Sequence, residues 1–159
     1  MTEKLQSSAQ KVQEALTNLG LPCQVVELPA STRTAQEAAR AIGCTVAQIV
    51  KSLVFRGART GKPILVLASG VNRVNEKRAG EWLGEPIGKA DADFVRRHTG
   101  FVIGGVPPVG HPAAIETYID EDLLQYDEIW AAAGTPYSVF RLTPKDLGKL
   151  GQGAVVKIK

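Results

Sequence analysis

The residues of this chain that could do chemistry are few, and the most distinctive is one lysine in an apolar run. Lys51 lies within Gln48-Ile-Val-Lys-Ser-Leu-Val-Phe55, and strand alternation places its side chain on the same face as Leu53 and Phe55. An ammonium group among apolar side chains needs an anion or water as its partner. The sequence therefore predicts an anion-binding lysine or, as the plainer alternative, a lysine at a strand entrance with its head in solvent.

The loop Gly104-Gly-Val-Pro-Pro108 is a second candidate, because it follows an apolar segment that we predict to be a strand. Glycines let a ligand approach the backbone closely and prolines fix the shape of a loop, although an ordinary tight turn would also use both. His111 follows in the same loop and either reaches a pocket or serves only the loop. His98 ends a predicted helix, where imidazole interacts favourably with the dipole, and we interpret it as structural.

Common catalytic and cofactor motifs are absent from the sequence. It contains no Gly-x-Ser-x-Gly, no Walker loop and no His-Glu-x-x-His. Cys23 and Cys44 have no Cys-x-x-Cys spacing and no partner histidine, so we expect two reduced thiols rather than a disulfide or a zinc site. We predict neither a metal nor a cofactor.

Length and composition predict one domain over residues 1–159. The chain is 44% hydrophobic, but its apolar runs are strand-sized and fall short of the roughly 20 residues that a membrane helix needs. The first ten residues contain no apolar leader segment. We therefore expect a cytoplasmic protein.

Charge is unevenly distributed along the chain. Residues 33–100 contain twelve Lys or Arg and six Asp or Glu, whereas residues 101–130 contain six acids and no Lys or Arg. A basic stretch gathered on one face would attract a polyanion such as RNA. If the signs mix in three dimensions, the same charges form only a solvated surface.

Short helices and short strands alternate around these candidates. Thr34-Ala-Gln-Glu37 and Thr45-Val-Ala-Gln48 have capping-box spacing, and the second leads directly into the strand of Lys51. Predicted helices span residues 8–19, 34–43, 75–83, 91–98 and a short stretch from 143; predicted strands span 23–28, 49–55, 63–68, 101–103, 114–119, 128–133, 137–142 and 154–158. We predict an α+β single domain with one mixed, mostly antiparallel, bent sheet flanked by short helices.

Taken together, these segments resemble the YbaK/ProX family, whose members include the editing domain inserted in many bacterial prolyl-tRNA synthetases. The resemblance runs from about residue 34 to the C-terminus. It is carried by Thr34-Ala-Gln-Glu-Ala-Ala39, Gln48-Ile-Val-Lys-Ser-Leu-Val-Phe55, Thr99-Gly-Phe-Val-Ile-Gly-Gly-Val-Pro-Pro-Val-Gly-His111, Thr117-Tyr-Ile-Asp120 and Ala131-Ala-Ala-Gly134. It implies a free-standing hydrolase that removes a wrongly attached amino acid from tRNA by cleaving the aminoacyl ester.

The resemblance also implies roles for individual residues. Lys51 takes the place of the family's functional lysine, and residues 104–108 take the place of its substrate loop. The expected catalytic residues are Lys51, Gly104 and Gly105, with the lysine on the terminal phosphate or the carbonyl and the glycine amides facing the developing oxyanion. The expected substrate-binding residues are Thr34, Ser52, Val106, Pro107, Pro108, Gly110 and His111, and the expected RNA-binding residues are Arg56, Arg59, Lys62, Lys77 and Arg78.

The expected substrate is the acceptor end of proline tRNA carrying a small wrong amino acid such as alanine or cysteine. Ser52 differs from family branches with Thr or Asn beside the lysine, and Pro107-Pro108 differs from branches with Cys-Pro-Phe, so the amino acid stays open. Prolyl-tRNA synthetase or an elongation factor is the expected protein partner, and neither DNA nor a membrane is expected. Two alternatives stay open: a non-catalytic module of the same fold that binds aminoacyl-tRNA or a nucleotide, and a docking domain that uses the acidic segment 116–128.

Overall fold

One mixed sheet organises the computed structural model of the chain, which describes residues 5–150 and 153–159. Its eight strands in this described part are β1 (Val25–Glu27), β2 (Ile49–Gly57), β3 (Pro63–Ser69), β4 (Ile87–Lys89), β5 (Glu116–Asp120), β6 (Ile129–Ala132), β7 (Ser138–Leu142) and β8 (Ala154–Val156). The strand order is β1-β7-β6-β2-β3-β5-β8, with β4 beside β2. Four strand pairs are antiparallel and three are parallel, which confirms the predicted mixed, mostly antiparallel sheet.

In the described residues, five short helices flank the sheet, as predicted. They are α1 (Ser7–Asn18), α2 (Ala35–Ile42), α3 (Glu76–Leu83), α4 (Ala92–Thr99) and α5 (Pro144–Leu150), with 3₁₀ turns at Val46–Gln48 and Glu121–Gln125. The capping box that begins α2 is present, since Thr34 Oγ1 accepts a hydrogen bond from the Glu37 amide at 3.1 Å. None of the helices in the described ranges is long and apolar enough to cross a membrane.

The β2–β3 hairpin forms the centre of the sheet and carries Lys51 opposite Ala68. On its other edge, β2 pairs with β6 only at Ile49 and Val50, and with β4 only from Phe55 onward. Because neither strand pairs with the residues between, the edge of β2 is left open at residues 51–54. The candidate site lies at this unpaired part of the β2 edge.

Two apolar clusters cover the two faces of the sheet. Helices α1 and α5 pack on one face, through residues such as Leu16 and Leu147. Trp82 of α3 and Tyr118 pack on the other face, against Ile64 and Val66. A third, smaller cluster joins the alanines of α2 to Ile49 and the half-buried Trp130, and it places the start of α2 beside the start of β2.

The predicted strand at residues 101–103 was wrong. The Phe101 amide donates to Thr99 Oγ1 at 3.1 Å, and the Gly105 amide donates back to the Val102 carbonyl oxygen at 3.1 Å. These local hydrogen bonds make a turn, in which Phe101 is buried while Val102 and Ile103 are exposed. The apolar residues at 101–103 are therefore one core residue, Phe101, followed by two residues of a surface turn. The short strand β4 was missed, because three residues show too little alternation to be read.

Candidate active site

A cavity of about 350 Å³ lies at the open edge of β2, where four parts of the chain meet. The start of α2 and the residues before it form one wall, the first half of β2 a second, the turn at 103–106 a third, and β6 with β7 the fourth. Its lining includes Arg33, Thr34, Ala38, Ile42, Ile49, Lys51, Ser52, Ile103, Gly104, Val106, Trp130 and Val139. Among the described residues, two of those that line it are cations and none is a carboxylate, so the cavity is suited to an anionic ligand.

Lys51 is half-buried at this cavity, and its Nζ donates to the backbone carbonyl oxygen of Asn72 at 2.6 Å. Burial lowers the pKa of Lys51, and the nearby positive charge of Arg73 lowers it further, whereas the negative charge of Asp120 opposes both. The ammonium is thus held by a neutral carbonyl group. An ammonium has three N–H donors, so two are left for a ligand.

Gly104 lines the same cavity as Lys51, although more than fifty positions separate them. Its φ is +93°, which favours glycine, and a Cβ atom there would lie 2.9 Å from Cγ of Arg33, so the Arg33 side chain would have to shift. The Gly104 amide has no hydrogen-bond acceptor in the described part of the chain. The hydrogen bonding of the turn is therefore compatible with the oxyanion role expected for this amide.

Gly105 meets a different constraint. A Cβ atom on it would lie 2.9 Å from the backbone of Thr135, and its carbonyl accepts from the Gly134 amide at 2.9 Å. Its own N–H already donates to Val102. Of the two amides expected at the oxyanion, that of Gly104 is the one that remains free in this conformation.

Two further expected residues lie at the cavity. Thr34 lines it, but its hydroxyl oxygen is the N-cap acceptor of α2. Ser52 lines it beside Lys51, and its Oγ is buried without a hydrogen-bond partner among the described residues. A buried hydroxyl without a partner costs about 1–3 kcal/mol.

Most of the other expected substrate-loop residues lie outside the Lys51 cavity. Val106 lines the Lys51 cavity, whereas Pro108, Gly110 and His111 line a separate cavity of about 790 Å³ with Tyr118. The His111 Nε2–H donates to the Pro107 carbonyl oxygen at 2.9 Å, and burial lowers the pKa of this histidine. Pro107 is itself buried. The structure therefore brings Gly104 and Val106 to Lys51 and leaves His111 behind the loop.

The expected RNA-binding cations are also apart from the Lys51 cavity. In the hairpin connection, Lys62 forms an ion pair with Glu116 at 2.8 Å, and Arg59 donates to the Gly84 carbonyl oxygen at 2.8 Å. The Arg56 guanidinium lies over the Phe94 ring, 5.3 Å from its centroid. Lys77 and Arg78 lie on α3 and line another cavity with Trp82 and Lys157.

Sequence reasoning missed two residues of the cavity. Arg33 is exposed and packs on Gly104, and its only sequence signal was a place directly before the capping box. Trp130 contributes the largest apolar side chain of the wall, and nothing in its local pattern distinguished it from a core residue.

Residues 5–150 and 153–159 contain no arrangement of side chains suited to metal binding or to thiol catalysis. No three His, Cys, Asp or Glu side chains lie close enough there to hold a metal ion. Cys23 and Cys44 are both free thiols. Burial raises the pKa of each thiol, which makes both poor nucleophiles.

Known proteins with similar sequences or structures point to one family. Its profile, described as the aminoacyl-tRNA editing domain, matches residues 29–150. The chain is 32% identical to the uncharacterised protein YwhH of Bacillus subtilis over 142 residues, which are 89% of this chain and 90% of YwhH. It is 26% identical to EbsC of Enterococcus faecalis, named as a candidate Cys-tRNA(Pro)/Cys-tRNA(Cys) deacylase, over 79% of this chain and 76% of EbsC.

A solved structure agrees with these sequence matches. The crystal structure of a candidate trans-editing enzyme for prolyl-tRNA synthetase superposes with a TM-score of 0.92 at 52% identity, over 98% of this chain and 99% of that one. Since the family profile covers most of the chain and includes both Lys51 and the Gly104 turn, this protein belongs to the aminoacyl-tRNA editing domain family.

Proposed function

We propose that this chain is a free-standing hydrolase that deacylates mischarged tRNA. The observation that carries the proposal is that Lys51 and Gly104, whose amide has no acceptor among the described residues, line one cavity to which those residues contribute no carboxylate. Water adds to the ester carbonyl, the bond from the acyl carbon to the ribose oxygen breaks, and the ribose oxygen takes the proton. No protein nucleophile is required, because an aminoacyl ester is already an activated acyl group.

Charge at the cavity supports a division of labour. Among the described residues, Lys51 and Arg33 are the two cations of the lining, and we assign Arg33 to the terminal phosphate and Lys51 to the same phosphate or the ester carbonyl. The planar guanidinium of Arg33 can bind a phosphate with two parallel hydrogen bonds. The Gly104 amide is the oxyanion donor, and such a donor contributes roughly 3 kcal/mol to transition-state stabilisation.

The amino-acid part of the substrate lies, in this proposal, between α2 and Trp130. The apolar side chains there and a volume of about 350 Å³ leave room for a small aminoacyl group beside the ribose. Ser52 forms part of the cavity wall beside Lys51 in this proposal. Alanine or cysteine on proline tRNA fits these limits; the name of EbsC supports cysteine, and the name of the trans-editing neighbour supports the prolyl system.

His111 and the prolines of the loop support the site from behind. The hydrogen bond from His111 to the Pro107 carbonyl holds the segment that follows Gly104 and Val106. We assign His111, Pro107, Pro108 and Gly110 to positioning of this loop, and Thr34 to the α2 wall.

Release of amino acid from a panel of mischarged proline tRNAs tests the proposal. We expect Lys51→Ala to lose roughly 100-fold or more in turnover while it stays folded, because a lysine head contributes little packing. Lys51→Arg rescues poorly, since a guanidinium does not occupy the ammonium's position. The exposed Lys89 on β4 provides a matched control, and Lys89→Ala keeps normal turnover.

Other outcomes would favour the alternatives. Tight binding of charged tRNA without release of amino acid would identify a non-catalytic binding module. Capture of a synthetase or elongation factor that survives RNase would favour a docking domain that uses the acidic segment. Two acids of that segment are not free for docking, because Glu116 is paired with Lys62 and Asp120 is buried.

A further inference from the structure

We propose that Asn72, held by the carboxylates of Asp120 and Asp122, is a positioning residue for Lys51. The inference rests on the proposed function of Lys51 as the substrate-binding ammonium. It concerns residues that do not line the cavity and that the sequence analysis gave no role at the site. Their link to the site is the carbonyl group of Asn72, which accepts the Lys51 hydrogen bond at 2.6 Å.

The side-chain amide of Asn72 is fixed at both of its N–H groups. Asn72 Nδ2 donates to Asp120 Oδ2 at 2.8 Å and to Asp122 Oδ2 at 2.7 Å. Asn72 is 7% exposed and Asp120 is 1% exposed, so solvent competes little for these hydrogen bonds. Both donors of the amide therefore have charged acceptors, which are the stronger kind.

The turn that carries Asn72 is clamped as well. The Asn72 amide donates to the Ser69 carbonyl oxygen at 2.9 Å, and the Ser69 amide donates to Asp120 Oδ2 at 2.9 Å. The other oxygen of Asp120 accepts from the Asp122 amide at 2.9 Å. One buried carboxylate thus sets the end of β3, the side chain of Asn72 and, through its carbonyl, the position of the Lys51 ammonium.

The arrangement keeps the charge of Lys51 available. A carboxylate in direct contact with the ammonium would form an ion pair and compete with a substrate phosphate. Here a neutral carbonyl makes the contact, while Asp120 acts on the ammonium from behind it and favours its charged form. Arg73 opposes it, Arg33 shares the cavity, and Asp122 is balanced by Lys159 at 3.2 Å.

The experiment measures Lys51 itself, without reference to any activity. Lysines labelled with ¹³C at Cε are titrated by NMR, and the Lys51 signal is assigned by its loss in Lys51→Ala. We expect the titration midpoint of Lys51 to fall in Asp120→Asn, because a nearby negative charge is removed, and to rise in Arg73→Gln, because a nearby positive charge is removed. Glu121→Gln, a change at an exposed neighbour, leaves the midpoint unchanged.

A double-mutant cycle then separates positioning from folding. Asp120→Asn lowers kcat/KM for a mischarged tRNA about tenfold in the wild-type background and has little effect in Lys51→Ala, since the two residues act as a unit. Should Asp120→Asn fail to fold, Asp122→Asn replaces it, because Asp122 is partly exposed and its loss leaves the three hydrogen bonds of Asp120 in place. It should move both readouts in the same direction by less.

Two results would overturn the inference: an unchanged Lys51 midpoint in Asp120→Asn, or equal losses of kcat/KM in both backgrounds. Either would show that the carboxylates serve only the fold. If Lys51→Ala itself kept normal turnover, the proposed function would fail, whereas the midpoints would still report whether the network acts on the ammonium.

Discussion

At the scale of single residues, Gly104 carries the sharpest test of the site. We expect Gly104→Ala to lose stability by about 1–2 kcal/mol, because its φ of +93° is unfavourable for a residue with a Cβ. We also expect it to lose turnover by roughly 100-fold, since the new methyl group would displace Arg33 and the turn. Thermal unfolding and deacylation rates measure the two effects separately.

Gly84 supplies the matched control for that change. Its φ is +84°, and a Cβ atom there would meet nothing within 4 Å. Gly84→Ala should therefore lose a similar amount of stability and keep its turnover. Equal losses of turnover in the two variants would mean that backbone strain alone, and not the cavity, explains the effect at Gly104.

The residues that could be predicted from sequence were those with unusual surroundings in the chain. Lys51 stood out against an apolar run, and the glycine pair stood out before two prolines. Arg33 and Asn72 could not be found in this way, because what matters about them is a contact made across the fold. Lys51 lies 21 positions from Asn72, and the side chain of Arg33 reaches a glycine in a turn some seventy positions away.

At the scale of elements, local hydrogen bonding decided where prediction succeeded. Capping side chains such as Thr34 and Asp91 act on amides three residues away, so the starts of α2 and α4 could be predicted. Local hydrogen bonding also explains why the strand prediction at 101–103 was wrong. The Thr99 hydroxyl accepts from the Phe101 amide, which a strand would have used for pairing. Pairing between distant strands, such as β2 with β6, has no local signal at all.

The β2–β3 connection has an element-scale prediction with a defined pH dependence. Glu85 is 8% exposed and accepts from the amides of Thr60 and Arg59 at 3.0 and 2.8 Å and from the Thr60 hydroxyl at 2.8 Å. The hydrogen bond from the Thr60 amide is the main cause that lowers the pKa of Glu85. A carboxylate with a lowered pKa stabilises the fold above its unfolded-state pKa, and this stabilisation is lost as the pH falls through its folded-state value.

Glu85→Gln should therefore lower Tm at pH 7. The difference from wild type should begin to shrink once the pH falls below the unfolded-state pKa of about 4.3, and it should be lost only below the lower folded-state pKa, where the wild-type carboxylate is protonated in both states. Thermal unfolding across that range measures it. Glu81→Gln, at an exposed acid on α3, is the control and should change Tm little. A Tm difference of constant size from pH 7 to pH 3 would contradict the assigned role of the charge.

At the scale of the whole molecule, the fold separates charges that the sequence had grouped together. The basic stretch 33–100 supplies Arg33 and Lys51 at the cavity and Arg73 close enough to act on the Lys51 charge, but its hairpin cations lie at the opposite end of β2. At roughly 3.3 Å per residue, the six positions from Lys51 to Gly57 span about 20 Å. A tRNA acceptor stem can cover that distance, so contacts at both ends stay a prediction.

Salt dependence of tRNA binding tests which cations meet phosphates. We expect the double variant Arg33→Gln, Arg73→Gln to weaken binding of one charged tRNA and to lower the slope of log affinity against log salt by about 1.4, since each single-strand phosphate contact contributes about 0.7.

Neutralising Arg56, Arg59 and Lys62 together would lower this slope by about two if all three bind phosphates. Because Lys62 and Arg59 already have protein partners, we expect a smaller decrease for this triple variant. Phosphate contacts do not read the amino acid, so the ranking of mischarged substrates should stay the same in both variants. An unchanged slope in the double variant would mean that the RNA reaches the cavity from another side, and a full decrease of two in the triple variant would place its path along the hairpin.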